Sequence, residues 1–231
     1  MKLRLASFSL VVLCLTLSAI PLTAQTDLYD NGPINGEQAA WDIVFGFVVS
    51  DSFALSNNAS VNGFSFGVWS ECEGCGPMTS VDWSLTSAPN GGNVFASGTA
   101  TSGGGSGGLL VDQHLYTNQF GYGIDQITVS GLNVNFAGGT YWLNLQNALG
   151  GDGYLFWDEN NGVGCGGDNG MGGGCPSQAS DNDIGTIPSE SFTMLGNAST
   201  STTGTTPEPA SLLLVASGAL GMVGRLRRKL F

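Results

Sequence analysis

The stretch SVNGFSFGVWS, residues 60–70, decides the fold. Phe64, Phe66 and Val68 recur every second residue, so in an extended chain they share one face. The same period returns in TSVDWSLTS (79–87) through Val81, Trp83 and Leu85. In GIDQITVS (123–130), Ile127 and Val129 alternate with Gln126 and Thr128. WDIVFGFVVSDSFALS (41–56) reads as one or two strands and TYWLNLQNAL (140–149) as another. NVFASGTA, GLLVDQHLYT, LNVNF, GYLFWD and ESFTML are further strands. Roughly ten short strands parted by Gly, Asn or Pro turns predict an all-β fold, a single-domain antiparallel β-sandwich of jelly-roll type. No long 3.6-residue periodicity precedes residue 210.

Charge is distributed in an unusual way. The chain has 231 residues and six Lys and Arg, and none of the six lies between residues 25 and 206. Of its 18 Asp and Glu, only Glu208 lies outside that stretch, and His114 is the single histidine. Ordinary salt bridges to Lys or Arg are therefore impossible inside the domain. Each carboxylate must be solvated, hydrogen-bonded, protonated or bound to a cation. Nucleic acid and anionic lipid are excluded as direct partners, because nothing in the domain could neutralise a phosphate.

The positive charges sit at the two ends. Lys2 and Arg4 precede an apolar core, and Pro21 and Ala24 close it, so residues 1–24 read as a secretory signal helix cleaved after Ala24. At the other end, residues 210–224 form an apolar helix of about 22 Å, short against roughly 30 Å of hydrocarbon. Behind it stand Arg225, Arg227, Arg228 and Lys229, which the positive-inside rule holds in the cytoplasm. The tripeptide Pro207-Glu208-Pro209, the apolar transmembrane segment and the basic tail 225–231, in that order, resemble the PEP-CTERM sorting signal of bacterial envelope and biofilm proteins. The resemblance implies processing by an exosortase, a membrane peptidase of bacteria that make extracellular polysaccharide. It also implies a transient hold in the inner membrane, then release to the cell surface or extracellular matrix. The phrases YDNGPING, WDIVFGFVVSDSF, GVW, YWLNLQNA, WDENNG and IGTIPSESFT resemble those of a group of PEP-CTERM ectodomains from Tyr29 to Thr193, a group with no activity to transfer. The organisation expected is a signal peptide (1–24), an acidic sandwich (25–196), a Ser/Thr-rich linker (197–206) and the sorting segment (207–231).

Candidate chemistry follows from residue types. Cys72, Cys75, Cys165 and Cys175 remain after export, and an even count argues disulfides. Four cysteines allow three connectivities; Cys72–Cys75 and Cys165–Cys175 are expected, the second closing a glycine-rich loop. Cys72-x-x-Cys75 would also supply one zinc ligand pair. DENNG (158–162) and DNDIG (181–185) place oxygen ligands at alternate positions, so Asp152, Asp158, Asp181 and Asp183 are candidate ligands for Ca²⁺, the one cofactor suggested. The glycines of 103–108 satisfy nucleophile-elbow and dinucleotide patterns, but no helix follows them, so they read as a loop. His114 lies in a strand, with no oxyanion signature beside it.

In TYWLNLQNAL, Tyr141, Leu143 and Leu145 form one face and Trp142, Asn144 and Gln146 the other. An indole beside two amides suits a neutral sugar, so Trp142, Asn144 and Gln146, with Trp157, are the expected glycan-binding residues. The function expected is an exported, non-catalytic envelope or biofilm-matrix protein, structural or binding a neutral glycan. A carboxylate-dependent glycan-processing enzyme and a self-assembling surface protein are the rival readings.

Overall fold

A computed structural model describes residues 26–37, 39–71, 76–150, 153–160 and 177–199. Both expected terminal helices and all four cysteines fall outside these residues. The described chain is built from thirteen strands. They are β1 (Thr26–Asp30), β2 (Ala40–Asp42), β3 (Val48–Leu55), β4 (Ala59–Ser70), β5 (Met78–Ala88), β6 (Gly91–Thr101) and β7 (Leu109–Thr117). After these come β8 (Gly123–Phe136), β9 (Gly139–Gly150), β10 (Leu155–Asp158), β11 (Ala179–Asp181), β12 (Gly185–Ile187) and β13 (Phe192–Ala198). The all-β expectation holds.

Hydrogen bonding joins the strands in the order β1-β13-β4-β8-β7-β6-β5-β9-β3-β11-β12, with β10 pairing β4 and β2 beside that path. All pairings are antiparallel except β6 with β7, which meet at the single pair Thr101↔Leu109. That seam divides the curled sheet into two layers. Phe64, Phe66 and Val68 of β4 and Ile127 and Val129 of β8 supply one inner face; Val81, Trp83, Leu85, Leu143 and Leu145 supply the other. Rings meet across the layers: Phe64 lies 6.0 Å from Trp83 and Phe53 lies 6.4 Å from Phe136.

Two expectations about elements change. GIDQITVS and LNVNF are one strand, β8, which continues through Gly131 at φ +86° where its register with β4 shifts. The sheet also runs on to Ala198, because Asn197 and Ala198 pair with Ser60 and Ala59, so the first two residues expected in the linker belong to β13.

The glycine-rich turn 102–108 is a packed loop. Trp83 Nε1 donates to the Gly107 carbonyl at 2.7 Å. A Cβ on Gly107 would stand 2.1 to 2.4 Å from the backbone of Thr99. Gly107→Ala should therefore cost at least about 2 kcal/mol by overpacking, whereas Gly103→Ala, which meets nothing within 4 Å, should be close to neutral. Denaturant unfolding of the two variants checks this.

Asp112 ties β7 to the start of β5 by accepting a hydrogen bond from Met78 N at 2.6 Å. Burial pushes its carboxyl up to about 6, and nearby Asp125 adds to the rise against the Met78 amide and His114. A raised carboxyl binds its proton more tightly in the folded than in the unfolded chain. Its contribution to stability is thus full below the ordinary value near 4 and lost as pH climbs through about 6. Asp112→Asn keeps an acceptor for Met78 and should flatten the fall in stability between pH 4 and 7, as read by thermal melts across that range.

Candidate functional site

The alternation that turns Phe64, Phe66 and Val68 inward turns Trp69 to the opposite, outer face of β4. Its neighbours in register are Ile124 on β8 and Phe156 on β10. Residues 31–37 cross this outer face. A Cβ on Gly67 would collide with Ile34, Asp158 and Ser191, all within 2.8 Å, so only glycine lets that segment lie so close to β4.

Asp158 fastens the segment down. Its Oδ1 accepts from Gly36 N at 3.1 Å and Trp69 Nε1 at 2.6 Å, and its Oδ2 accepts from Asn35 N and Ser191 Oγ, both at 3.0 Å. Burial pushes this carboxyl up, opposed by its four donors. Tyr116 donates its hydroxyl to the Asn35 carbonyl, and Asn118 Nδ2 donates to the Gly36 carbonyl. The Asn118 Oδ1 also accepts from Phe120 N and Tyr122 N, which sets the β7–β8 turn.

Two surface features result. A polar cleft of about 570 Å³ opens between residues 35–37 and 116–119, walled by Asn35, Glu37, Tyr116, Asn118 and Gln119. Beside it runs a chain of aromatic rings: Phe120 stacks on Trp69 at 6.1 Å, Trp69 meets Tyr122 at 5.4 Å, and Tyr122 meets Phe156 at 6.2 Å. Phe156 then stacks on Tyr154 at 6.0 Å, and Tyr154 meets Phe45 at 5.3 Å. Phe45 is 71% exposed, Phe120 56% and Tyr154 44%, while Trp69 is buried beneath them. Phe45 holds φ +53°, a backbone setting that a bulky residue adopts only under constraint. The exposed rings Phe120, Tyr154 and Phe45, linked through Trp69, Tyr122 and Phe156, can stack on apolar ring faces, with amides and a carboxylate near Phe120 to hydrogen-bond to hydroxyls.

The expected glycan residues do not form one surface. Trp142 and Gln146 are half-buried on the outer face of β9, but Asn144 is buried, bonded to Ser50, Asn90, Ser84 and Thr86. Trp157 points into the core and donates to the Ser191 carbonyl. The expected calcium ligands are likewise dispersed. Asp158 has its lone pairs filled as above. Asp181 Oδ1 accepts from Asp183 N and Ile184 N and so caps the β11–β12 turn that carries Asp183. Asp152 lies outside the described residues, and among those described no group of three or more His, Cys, Asp and Glu is arranged to hold a metal ion. His114 Nδ1 pairs with Asp125 at 2.7 Å across β7 and β8.

The aromatic row is assembled from separate stretches of chain, so no single strand's alternation reveals it. In GYLFWD, Tyr154 and Phe156 alternate with Leu155 and Trp157, so both faces are apolar. NQFGY places two rings in a turn, where polar residues are the rule. Either signal marks rings that the core cannot take.

The far end of the chain bears on export and membrane sorting. Residues 205–229 match the family model of the PEP-CTERM protein-sorting motif. The chain carries a PEP-CTERM sorting signal. A PEP-CTERM protein is exported and held at the membrane for exosortase processing. Pro207, Glu208, Pro209 and the basic residues Arg225, Arg227, Arg228 and Lys229 all lie within the matched segment. No curated protein matches the chain.

Asp158→Asn replaces an acceptor oxygen with an amide that would face donors on all sides. It should cost about 2–4 kcal/mol and raise hydrogen exchange at Asn35 and Gly36, the amides it releases. Unchanged exchange there would mean that Asp158 does not fasten the segment.

Proposed function

We propose that this PEP-CTERM protein is a non-catalytic surface or matrix component that binds a neutral extracellular polysaccharide along the aromatic row. The observation that carries this reading is the unbroken chain of contacts from Phe120 to Phe45, with three of its rings, Phe120, Tyr154 and Phe45, exposed. A row of rings is longer than one sugar needs, so a polymer is the fitting ligand. The adjoining amide of Gln119 supplies a hydroxyl partner. Neutrality follows from charge: an acidic domain without Lys or Arg would repel an anionic chain. Export through the exosortase route supports a role outside the cytoplasm.

The test is co-sedimentation of the full chain, in mild detergent, with the producing organism's neutral exopolysaccharide. Phe120→Ala and Tyr154→Ala should each weaken binding about tenfold, as the loss of one stacking ring does, and the double variant should abolish it. Trp142→Ala should bind as the parent does. Loss in Trp142→Ala with retention in the other two would move the site to the outer face of β9. Retention in all three would leave a structural role.

A further inference from the structure

Asp51 and Glu190 form a buried acidic pair that the glycan reading does not use. Both side chains are fully buried. Asp51 Oδ2 is saturated: Asn31 Nδ2 donates to it at 3.1 Å, Ser189 Oγ at 3.0 Å and Glu190 N at 2.6 Å. Its Oδ1 has no hydrogen-bond partner, and neither oxygen of Glu190 has one. Three carboxylate oxygens are thus enclosed without a donor, where each would ordinarily be bonded.

Backbone geometry adds further negative charge. Glu159 and Glu190 form an isolated antiparallel bridge, flanked by Asn160 N to Ser189 O at 2.7 Å and Ser191 N to Asp158 O at 2.8 Å. Those bonds make Glu159 and Glu190 the non-hydrogen-bonded kind of pair, with side chains close together on one face. Like charges directly opposite in this way repel. Glu159 is buried as well.

No Lys or Arg exists in the domain to balance this charge, and the single histidine is paired with Asp125. Protons alone serve poorly. A proton on each acid would remove the charge, but buried carboxyl oxygens would still lack a donor from the protein. A divalent cation answers all three oxygens and both charges. Burial pushes Asp51 up to about 7 against the Glu190 and Ser52 amides and the Ser177 and Ser189 hydroxyls, while burial and the neighbouring Asp51 and Glu159 push Glu190 well above the ordinary carboxylate range.

We propose that Asp51 Oδ1 and the Glu190 carboxylate bind one Ca²⁺ ion, with Glu159 strengthening the negative field around it. Only two carboxylates meet here, so neutral oxygens and water complete the shell, which a hard and geometrically tolerant cation accepts. Mg²⁺ is disfavoured because it demands near-octahedral geometry and gives up water reluctantly. An exported module of this kind should bind in the range of roughly 10⁻⁴–10⁻³ M.

The test is calorimetric and thermal titration of the chelator-treated full chain in mild detergent with CaCl₂, beside MgCl₂ and charge-matched NaCl. One Ca²⁺ per chain is expected, with a rise in Tm on the order of 5–10 °C at a hundredfold excess over Kd, well above the response to the other two salts. Glu190→Gln keeps the shape and removes a charge, so it should melt higher than the parent without calcium and lose the calcium response. Asp51→Asn should lose the response as well. Equal responses to all three salts, or a full calcium response in Glu190→Gln, would overturn the site. The polysaccharide assay in chelator reads the aromatic row separately, so either proposal can fail alone.

Discussion

The domain has no lysine or arginine, and this constraint governs how its acids are housed. A buried carboxylate in most proteins finds a guanidinium or ammonium; here it must gather neutral donors from the backbone, indoles and hydroxyls. Asp158 does so completely, drawing on Asn35, Gly36, Trp69 and Ser191. In doing so it joins four separate parts of the chain and holds residues 34–36 against the outer face of β4. Asp51 does so with one oxygen only. The contrast is between a carboxylate whose lone pairs are all used and one that keeps a buried oxygen without a partner.

The same constraint shapes the surface. Trp69 is held from below by Asp158, and Phe120, Tyr122 and Phe156 are arranged around its ring, the first two in the β7–β8 turn. Asn118 does for the β7–β8 turn what Asp158 does for the crossing segment, with its side-chain oxygen serving two backbone amides. In the proposed polysaccharide contact, rings already ordered would spare the entropy that binding otherwise costs.

Sequence periodicity was informative wherever one side chain in two had to enter the core. Phe64, Phe66, Val68, Val81, Trp83, Leu85, Leu143 and Leu145 all point where alternation places them. It failed at Gly131, where a residue that reads as a turn instead lets β8 bulge and continue. Roles set by long-range partners were not legible. The four donors of Asp158 come from chain segments that no local pattern links, so an acid in a D-E-N-N-G phrase looked like a cation ligand. Asn144 was misplaced for the same reason: alternation gives its face correctly, but Ser50, Asn90 and Thr86 cover that face. The sorting signal was fully legible because its meaning lies in linear order alone.

The chain leaves the sheet from β13 on its way to the matched segment at 205–229, and this has a mechanical side. β13 pairs with β4 from Phe192↔Phe66 to Ala198↔Ala59 and with β1 on its other flank. Tension entering at Ala198, while the domain is gripped elsewhere, pulls β13 lengthwise between two neighbours. Its inter-strand bonds lie across that pull and would have to yield together rather than peel one by one. A domain tethered through this strand resists shear along its strongest direction.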